Sequence, residues 1–152
     1  MPDSTFSIRP ARFEDAATIR RLVRGAGLDP TSLDWPNFFV AHRAGRIIGV
    51  GQVKPYPNSR ELGSLVVLKP HRRQGVAAAL INALVEPEQG ELFLLCQQRM
   101  ESYYARFGFG RVGLSQLRGA VRRKYLFTRV FRVFGVRIIA MRRPHPFPSP
   151  GP

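Results

Sequence analysis

Lys69 to Leu80, KPHRRQGVAAAL, places His71, Arg72 and Arg73 in a row, then Gly75, then a run of small apolar residues. The Leu- and Val-rich segment Glu61–Leu68 leads into it, and Gly75–Val85 has the pattern of a compact apolar helix closed by Glu86-Pro87 and Gly90. The first turn of a helix carries unpaired N–H groups and the positive end of the macrodipole, so it favours an anion before any side chain is counted. Gly75 removes the Cβ that would hold a ligand off the backbone and tolerates positive φ. Arg72 and Arg73 add charge suited to phosphate oxygens, and Ala77, Ala78 and Ala79 keep the helix slim. Together these features suit a pyrophosphate. The competing reading is a loop of solvated arginines ahead of an ordinary helix. The Walker spacing GxxxxGKS/T is absent, and Ala77 stands where GxGxxG would need a glycine.

The elements that must hold this turn follow from the hydrophobic pattern. Thr5–Arg9 alternates as a short strand ended by Pro10. A helical stripe from Glu14 uses Ala17, Ile19, Leu22 and Val23, and stops near Gly25 and Gly27. Asp29 to Pro36 is a loop or short irregular helix. Phe38–Ala41 and Ile47–Lys54 form a hairpin about Arg43-Ala44-Gly45-Arg46, with Gly49 and Gly51 thinning one face of the return strand. After a turn at Tyr56–Ser59 come the strand and helix described above. Leu92–Cys96 is a nearly all-apolar strand of the kind buried on both faces. Glu101–Phe107 is a short helix ended by Gly108, and Phe109–Val112 is a strand. Ser115–Phe134 reads as one basic amphipathic helix with a mixed face, and Val136–Met141 as a last strand. No internal repeat is evident. The order predicts an α/β (α+β) domain whose helices cover a mixed, mostly antiparallel central sheet. A single domain over 1–143 is expected, with a core at 5–113, a basic C-terminal part at 114–143 and a Pro-rich tail at 144–152.

The chain has 152 residues and a net charge of +14, unevenly placed. Glu101 is the last acidic residue, and eleven basic residues follow it. Residues 1–101 therefore carry +3, thirteen basic side chains against ten acidic. Such a field favours an anionic partner: a phosphorylated cofactor, an acidic substrate, nucleic acid or an anionic membrane. No apolar run approaches the roughly 20 residues that span a bilayer, and MPDSTFSIRP lacks the pattern of a signal peptide. A lone cysteine, Cys96, and three scattered histidines give no disulfide and no metal spacing. These features lead to the expectation of a cytoplasmic protein without a metal.

Arg72-Arg73-Gln74-Gly75-Val76-Ala77 resembles the (Q/R)xxGx(G/A) signature of the GNAT acetyltransferases, matched by Arg72, Gly75 and Ala77, after a strand and opening a helix. Tyr103-Tyr104-Ala105-Arg106-Phe107-Gly108-Phe109 resembles the family's FYxxxGF block, and SIRPARFEDAATIRRLV is similar to its first strand and helix. The resemblance covers roughly residues 5 to 113. It implies acetyl-CoA as co-substrate and two central strands, 61–68 and 92–96, splayed apart. It also implies that the backbone of Leu65, Val66 and Val67 pairs with the pantetheine arm, and that Arg72, Arg73, Gln74, Gly75, Val76 and Ala77 cradle the pyrophosphate. Gln97 or Gln98 stands where the family often has an asparagine beside the cofactor.

Acetyl transfer to an amine needs a neutral nucleophile, a stabilised oxyanion and a protonated leaving thiol. An α-amine at a chain terminus, at about 7.7–8.0, loses its proton more readily than a lysine amine at about 10.4. Backbone N–H groups at Val66 or Val67 suit the oxyanion. Tyr104 takes the position of the family's tyrosine acid; its alternative reading is an aromatic packed in the core or against the cofactor. Tyr103, about 100° round the helix, cannot point at the same sulfur. Glu61 is the candidate base, direct or through water that Ser64 positions, and alternatively a solvated strand end. Cys96 reads as a buried structural thiol, His71 as a phosphate contact or a surface imidazole, and Trp35 as an acceptor-pocket wall or a loop anchor.

The expected function is transfer of the acetyl group of acetyl-CoA to a primary amine by direct attack. The acceptor is a small molecule such as an amino acid, with Arg118 and Arg122 as candidates to bind its carboxylate. The alternatives are a protein lysine or N-terminal acetyltransferase, and a non-catalytic basic module that binds nucleic acid or an anionic membrane. The oligomeric state is left open.

Overall fold

The computed structural model describes residues 5–144. The Pro-rich tail expected at 144–152 lies, from His145 on, outside the described residues. Among the described residues seven strands form a mixed sheet in the order β1-β2-β3-β4-β5-β7-β6, accompanied by four α-helices. The chain divides into two compact units. One holds the residues up to Lys54 together with Leu62–Pro87, and the other holds Pro55–Glu61 with the residues from Glu88 on.

The first unit contains β1 (Ser7–Pro10), α1 (Ala16–Gly25), β2 (Phe38–Arg43), most of β3 (Arg46–Tyr56), most of β4 (Ser59–Val67) and α2 (Val76–Val85). β1 pairs antiparallel with β2, from Ser7↔His42 to Pro10↔Phe39. Pro10 is thus the last residue of its strand rather than the residue that stops it, as an edge strand allows. α1 begins at Ala16, two residues later than its apolar stripe suggests, because Phe13–Asp15 is wound as a 3₁₀ turn. The Asp15 carboxylate joins the two elements. It accepts from Arg9 Nη1 at 2.7 Å and from the Arg12 N–H at 2.8 Å, and the Arg9 hydrogen bond holds it below the usual carboxylate range. β2 and β3 are joined through Ala44 and Gly45, with φ of +49° and +75°, the left-handed pair that matches strand twist.

β3 is buried continuously from Ile48 to Lys54, and α2 lies directly on it. A Cβ at Gly49 would sit 3.1 Å from the Val66 carbonyl oxygen, 3.2 Å from Leu80 Cδ1 and 3.3 Å from Val76 Cγ1. One at Gly51 would sit 2.9 Å from Leu84 Cδ1. Val76, Leu80 and Leu84 are four residues apart and share one helix face, so the helix packs on strand backbone with nothing between. Ile19, Val23, Phe38, Val40 and Val50 fill a second cluster of the same unit beneath α1.

The second unit contains β5 (Leu92–Gln97), α3 (Glu101–Ala105), β6 (Gly110–Val112), α4 (Gly119–Thr128) and β7 (Ile138–Arg143), with the turn between β3 and β4. β7 pairs antiparallel with β5, from Leu92↔Arg143 to Gln97↔Ile138, and with β6 on its other side. β4 meets β5 in parallel at Glu61↔Phe93. Phe93, Leu117, Val121 and Ala140 form the core of this unit, with Tyr56 and Tyr125 against it.

The single helix expected over Ser115–Phe134 is instead three pieces: a 3₁₀ turn at Leu114–Gln116, α4, and a 3₁₀ helix at Arg129–Phe134. Thr128 Oγ1 donates to the Tyr125 carbonyl at 2.6 Å, an i−3 bond of the kind that competes with α-helical pairing. Gly135, at φ +76°, ends the segment, with Val136 N–H reaching back to the Phe131 carbonyl.

Gly51→Val should lower unfolding stability by about 1–3 kcal/mol, read as a shifted urea midpoint. Gly90→Val, where a Cβ meets nothing within 4 Å, should stay within about 0.5 kcal/mol of the parent.

Candidate active site

In the first unit, β4 runs straight into the basic turn. Ser64, inside the strand, is held at φ +52°, which breaks the regular pleat immediately before Leu65, Val66 and Val67 and re-aims the backbone that follows. Its hydroxyl accepts from Gln52 Nε2 at 2.8 Å, and the same amide nitrogen donates to the Ser32 carbonyl. Leu65 is half-buried, while Val66 and Val67 are buried.

Lys69–His71 winds as a 3₁₀ turn, and the chain then passes Arg73 at φ +60° and Gly75 at φ +84° to enter α2. Nothing lies within 4 Å of where a Gly75 Cβ would stand, so glycine serves the backbone angle there rather than a close contact. The Ala79 N–H bonds to the Gly75 carbonyl at 3.0 Å. The N–H groups of Val76, Ala77 and Ala78 thus precede the first intrahelical bond of a ten-residue helix. Arg72 Nε donates to the Val67 carbonyl at 2.9 Å, which ties the guanidinium to the end of β4. Arg73 is exposed.

Arg43, a residue the sequence reading missed, organises the other side of the turn. Its Nη1 donates to His71 Nδ1 at 2.9 Å and to Gln74 Oε1 at 3.0 Å, and Gln74 Nε2 reaches the Pro70 carbonyl. No local pattern could have shown this, because Arg43 closes the β2–β3 hairpin 28 residues before His71. Lys54 was missed too. It is 1% exposed, and its Nζ donates to Asp29 Oδ2 at 2.9 Å and to the Thr31 carbonyl at 3.2 Å. Trp35 packs edge-on to Phe13 at 6.5 Å and against the α1 cluster, where it anchors the loop before β2.

In the second unit, Tyr104 lies on α3, with its ring edge-on to Tyr103 at 5.4 Å and to Phe109 at 6.3 Å. Burial, then the neighbouring Cys96 and Tyr103, push its phenol up to about 12. Like any phenol it is an O–H at neutral pH and can donate; the shift makes it a weaker acid. A phenol this weakly acidic stabilises a departing thiolate by hydrogen bonding before it surrenders a proton outright. Cys96 has its thiol raised to about 11, chiefly by burial, and its Sγ lies 3.8 Å from Met141 Sδ. That is the environment of an inert structural thiol. Gln97 is exposed at the end of β5, and its Oε1 accepts from Arg99 Nε at 2.8 Å.

Glu61 is not a solvated strand end. It is 2% exposed, with Oε1 accepting from Lys124 Nζ of α4 at 2.8 Å, while Oε2 is buried without a hydrogen-bond partner. Among the described residues no group of three or more His, Cys, Asp or Glu is placed to hold a metal ion.

The first unit thus carries a strand broken by a positive-φ residue, a basic turn and a glycine-led helix N-terminus, and the second carries a buried tyrosine on a short helix after β5. The sequence profile of the acetyltransferase (GNAT) domain matches residues 34–111, just over half of the chain, and the chain belongs to that family. No curated protein sequence matches it. Among solved structures it is similar to N-acetylglutamate synthase from Neisseria gonorrhoeae complexed with coenzyme A and N-acetyl-glutamate. The TM-score is 0.74 at 20% identity, over 93% of this chain and 35% of that one. The chain thus spans about a third of the synthase. It is also similar to Rv2747 from Mycobacterium tuberculosis in complex with CoA (TM-score 0.71, 16% identity, 91% and 98% covered). A third likeness is to the ribosomal-protein alanine N-acetyltransferase from Escherichia coli (0.66, 15%, 97% and 99%). At these identities the likeness is one of fold.

Removing one member of the Glu61–Lys124 pair leaves a buried charge uncompensated. Lys124 is partly exposed, so Lys124→Met should cost about 1–3 kcal/mol. The double variant Lys124→Met/Glu61→Gln should recover part of that loss in chemical denaturation.

Proposed function

We propose that this chain acetylates the α-amine of a free amino acid by direct attack on acetyl-CoA, with no covalent enzyme intermediate. The observation that carries the reading is the turn from Arg72 to Ala77. There a β4-anchored guanidinium and free helix N–H groups meet at a glycine whose backbone angle other residues resist. Arg72, Arg73, Gln74, Gly75, Val76 and Ala77 hold the pyrophosphate. Leu65, Val66 and Val67 offer backbone groups to the pantetheine arm, and Gln97 is a further cofactor contact. The N–H of Val66 or Val67 receives the oxyanion.

In the reaction the amine nitrogen bonds to the thioester carbon, the C–S bond breaks, and the sulfur leaves as a thiolate. Tyr104 donates its hydrogen bond to that sulfur. The proton released by nitrogen passes to Glu61 Oε2, the carboxylate oxygen not engaged by Lys124, or to water that Ser64 positions. The α-amine of a free amino acid, beside its own carboxylate, is largely protonated near pH 7, so the acceptor must give up a proton before it attacks. The preponderance of cations after Glu101 supports an acceptor with a carboxylate, and Arg118 and Arg122, exposed at the start of α4, are its candidate partners.

Calorimetric titration of acetyl-CoA should give micromolar binding that is lost in Gly75→Val, which forces a β-branched residue to positive φ. Tyr104→Phe should keep that binding and lose about 10²- to 10⁴-fold in kcat. Retained binding in Gly75→Val would remove the pyrophosphate from this turn.

In an acceptor screen, free amino acids should be acetylated and peptides not. Acetylated peptide lysines or N-termini would assign a protein acceptor. Cofactor binding without turnover on either set would leave a non-catalytic binding module.

A further inference from the structure

Residues 129–134 read RVFRVF, a triplet repeated twice, and the chain winds them as a 3₁₀ helix. At three residues per turn, positions i and i+3 eclipse. Arg129 and Arg132 therefore form one row, Val130 and Val133 a second, and Phe131 and Phe134 a third. The segment is exposed all round. Val130, Phe131, Val133 and Phe134 are 51, 41, 82 and 77% exposed, and Phe127, just before them on α4, is 74% exposed. A continuous patch of this kind, rimmed by charge, marks an interaction surface rather than scattered surface apolar residues.

We propose that this segment docks on an anionic lipid surface. The valine and phenylalanine rows enter the boundary below the headgroups, and the arginine row stays at the level of the lipid phosphates. Charge complementarity selects this occupant. Residues 102–143 contain eleven basic and no acidic side chains, so a second copy of the chain would bring like charge against like. Nucleic acid would accept the arginines, but the valine row has no face on which a base stacks. Among the described residues no helix is long and apolar enough to cross a membrane, so the contact is with the surface of the bilayer.

The test is co-sedimentation of the full chain with phosphatidylcholine vesicles, with and without phosphatidylserine. Binding is expected on the anionic vesicles, weakened about tenfold or more between about 0.1 M and about 1 M salt. Phe131→Ser/Phe134→Ser, and separately Val133→Asp, should each weaken it about tenfold, with far-UV circular dichroism and acetyl-CoA binding unchanged. Arg129→Glu/Arg132→Glu should do the same. Absence of vesicle binding by the parent overturns the proposal. So does binding indifferent to the apolar variants, or displacement from vesicles by a single-stranded oligonucleotide that the apolar variants still bind.

Discussion

Gly49 and Gly51 leave strand backbone bare where α2 crosses β3, and the first unit is arranged around that close approach. Val76, Leu80 and Leu84 settle into the space that two Cβ atoms would otherwise fill, and Val76 and Leu80 are buried with Ala41, Ile48 and Val67. Each such side chain contributes roughly 1.5–3 kcal/mol of burial. The consequence that matters for function is directional. With its face fixed on β3, α2 has its N-terminus fixed at the end of β4, and the helix dipole points at the turn that carries Arg72 and Arg73.

Electrostatics in this chain is a matter of shortage. Asp15, Asp29, Glu61, Glu88, Glu91 and Glu101 are each paired with a basic residue, which uses six of the ten acidic groups. The remaining cations have few internal partners to choose from and must face solvent or an anion from outside. The basic C-terminal third thus has two distinct roles. Lys124 is turned inward to hold the Glu61 carboxylate, whereas Arg129 and Arg132 stand outward beside exposed valine and phenylalanine. Reading all eleven as one charged surface would merge a packing element with a binding one.

The parts of the site that depend on local pattern were legible in the sequence. The strand before the turn, the positive φ at Gly75 and the helix after it all follow from neighbouring residues. Tyr104 could be singled out by motif, and the burial that weakens its acidity goes with an aromatic neighbourhood already present in Tyr103 and Phe109. What could not be read depends on distance along the chain or on an unexpected helical period. Glu61 looks like an exposed strand start until Lys124, 63 residues later, reaches it. Arg43 gives no hint of serving His71 and Gln74. RVFRVF looks mixed at 100° per residue and sorts into rows only at 120°, a periodicity announced by nothing except the triplet itself. Ser64 at φ +52° inside a strand is visible only in the fold.

Arg73 sits at φ +60° in the middle of the turn, an angle that costs an ordinary residue about 1 kcal/mol or more and glycine almost nothing. Arginine is therefore the less comfortable choice for the backbone, and on the proposed reading of the turn its charge is kept for phosphate. On that reading, robustness and ligand capture compete at this codon. Mutational drift toward a hardier fold would pass through glycine here and take the cation with it.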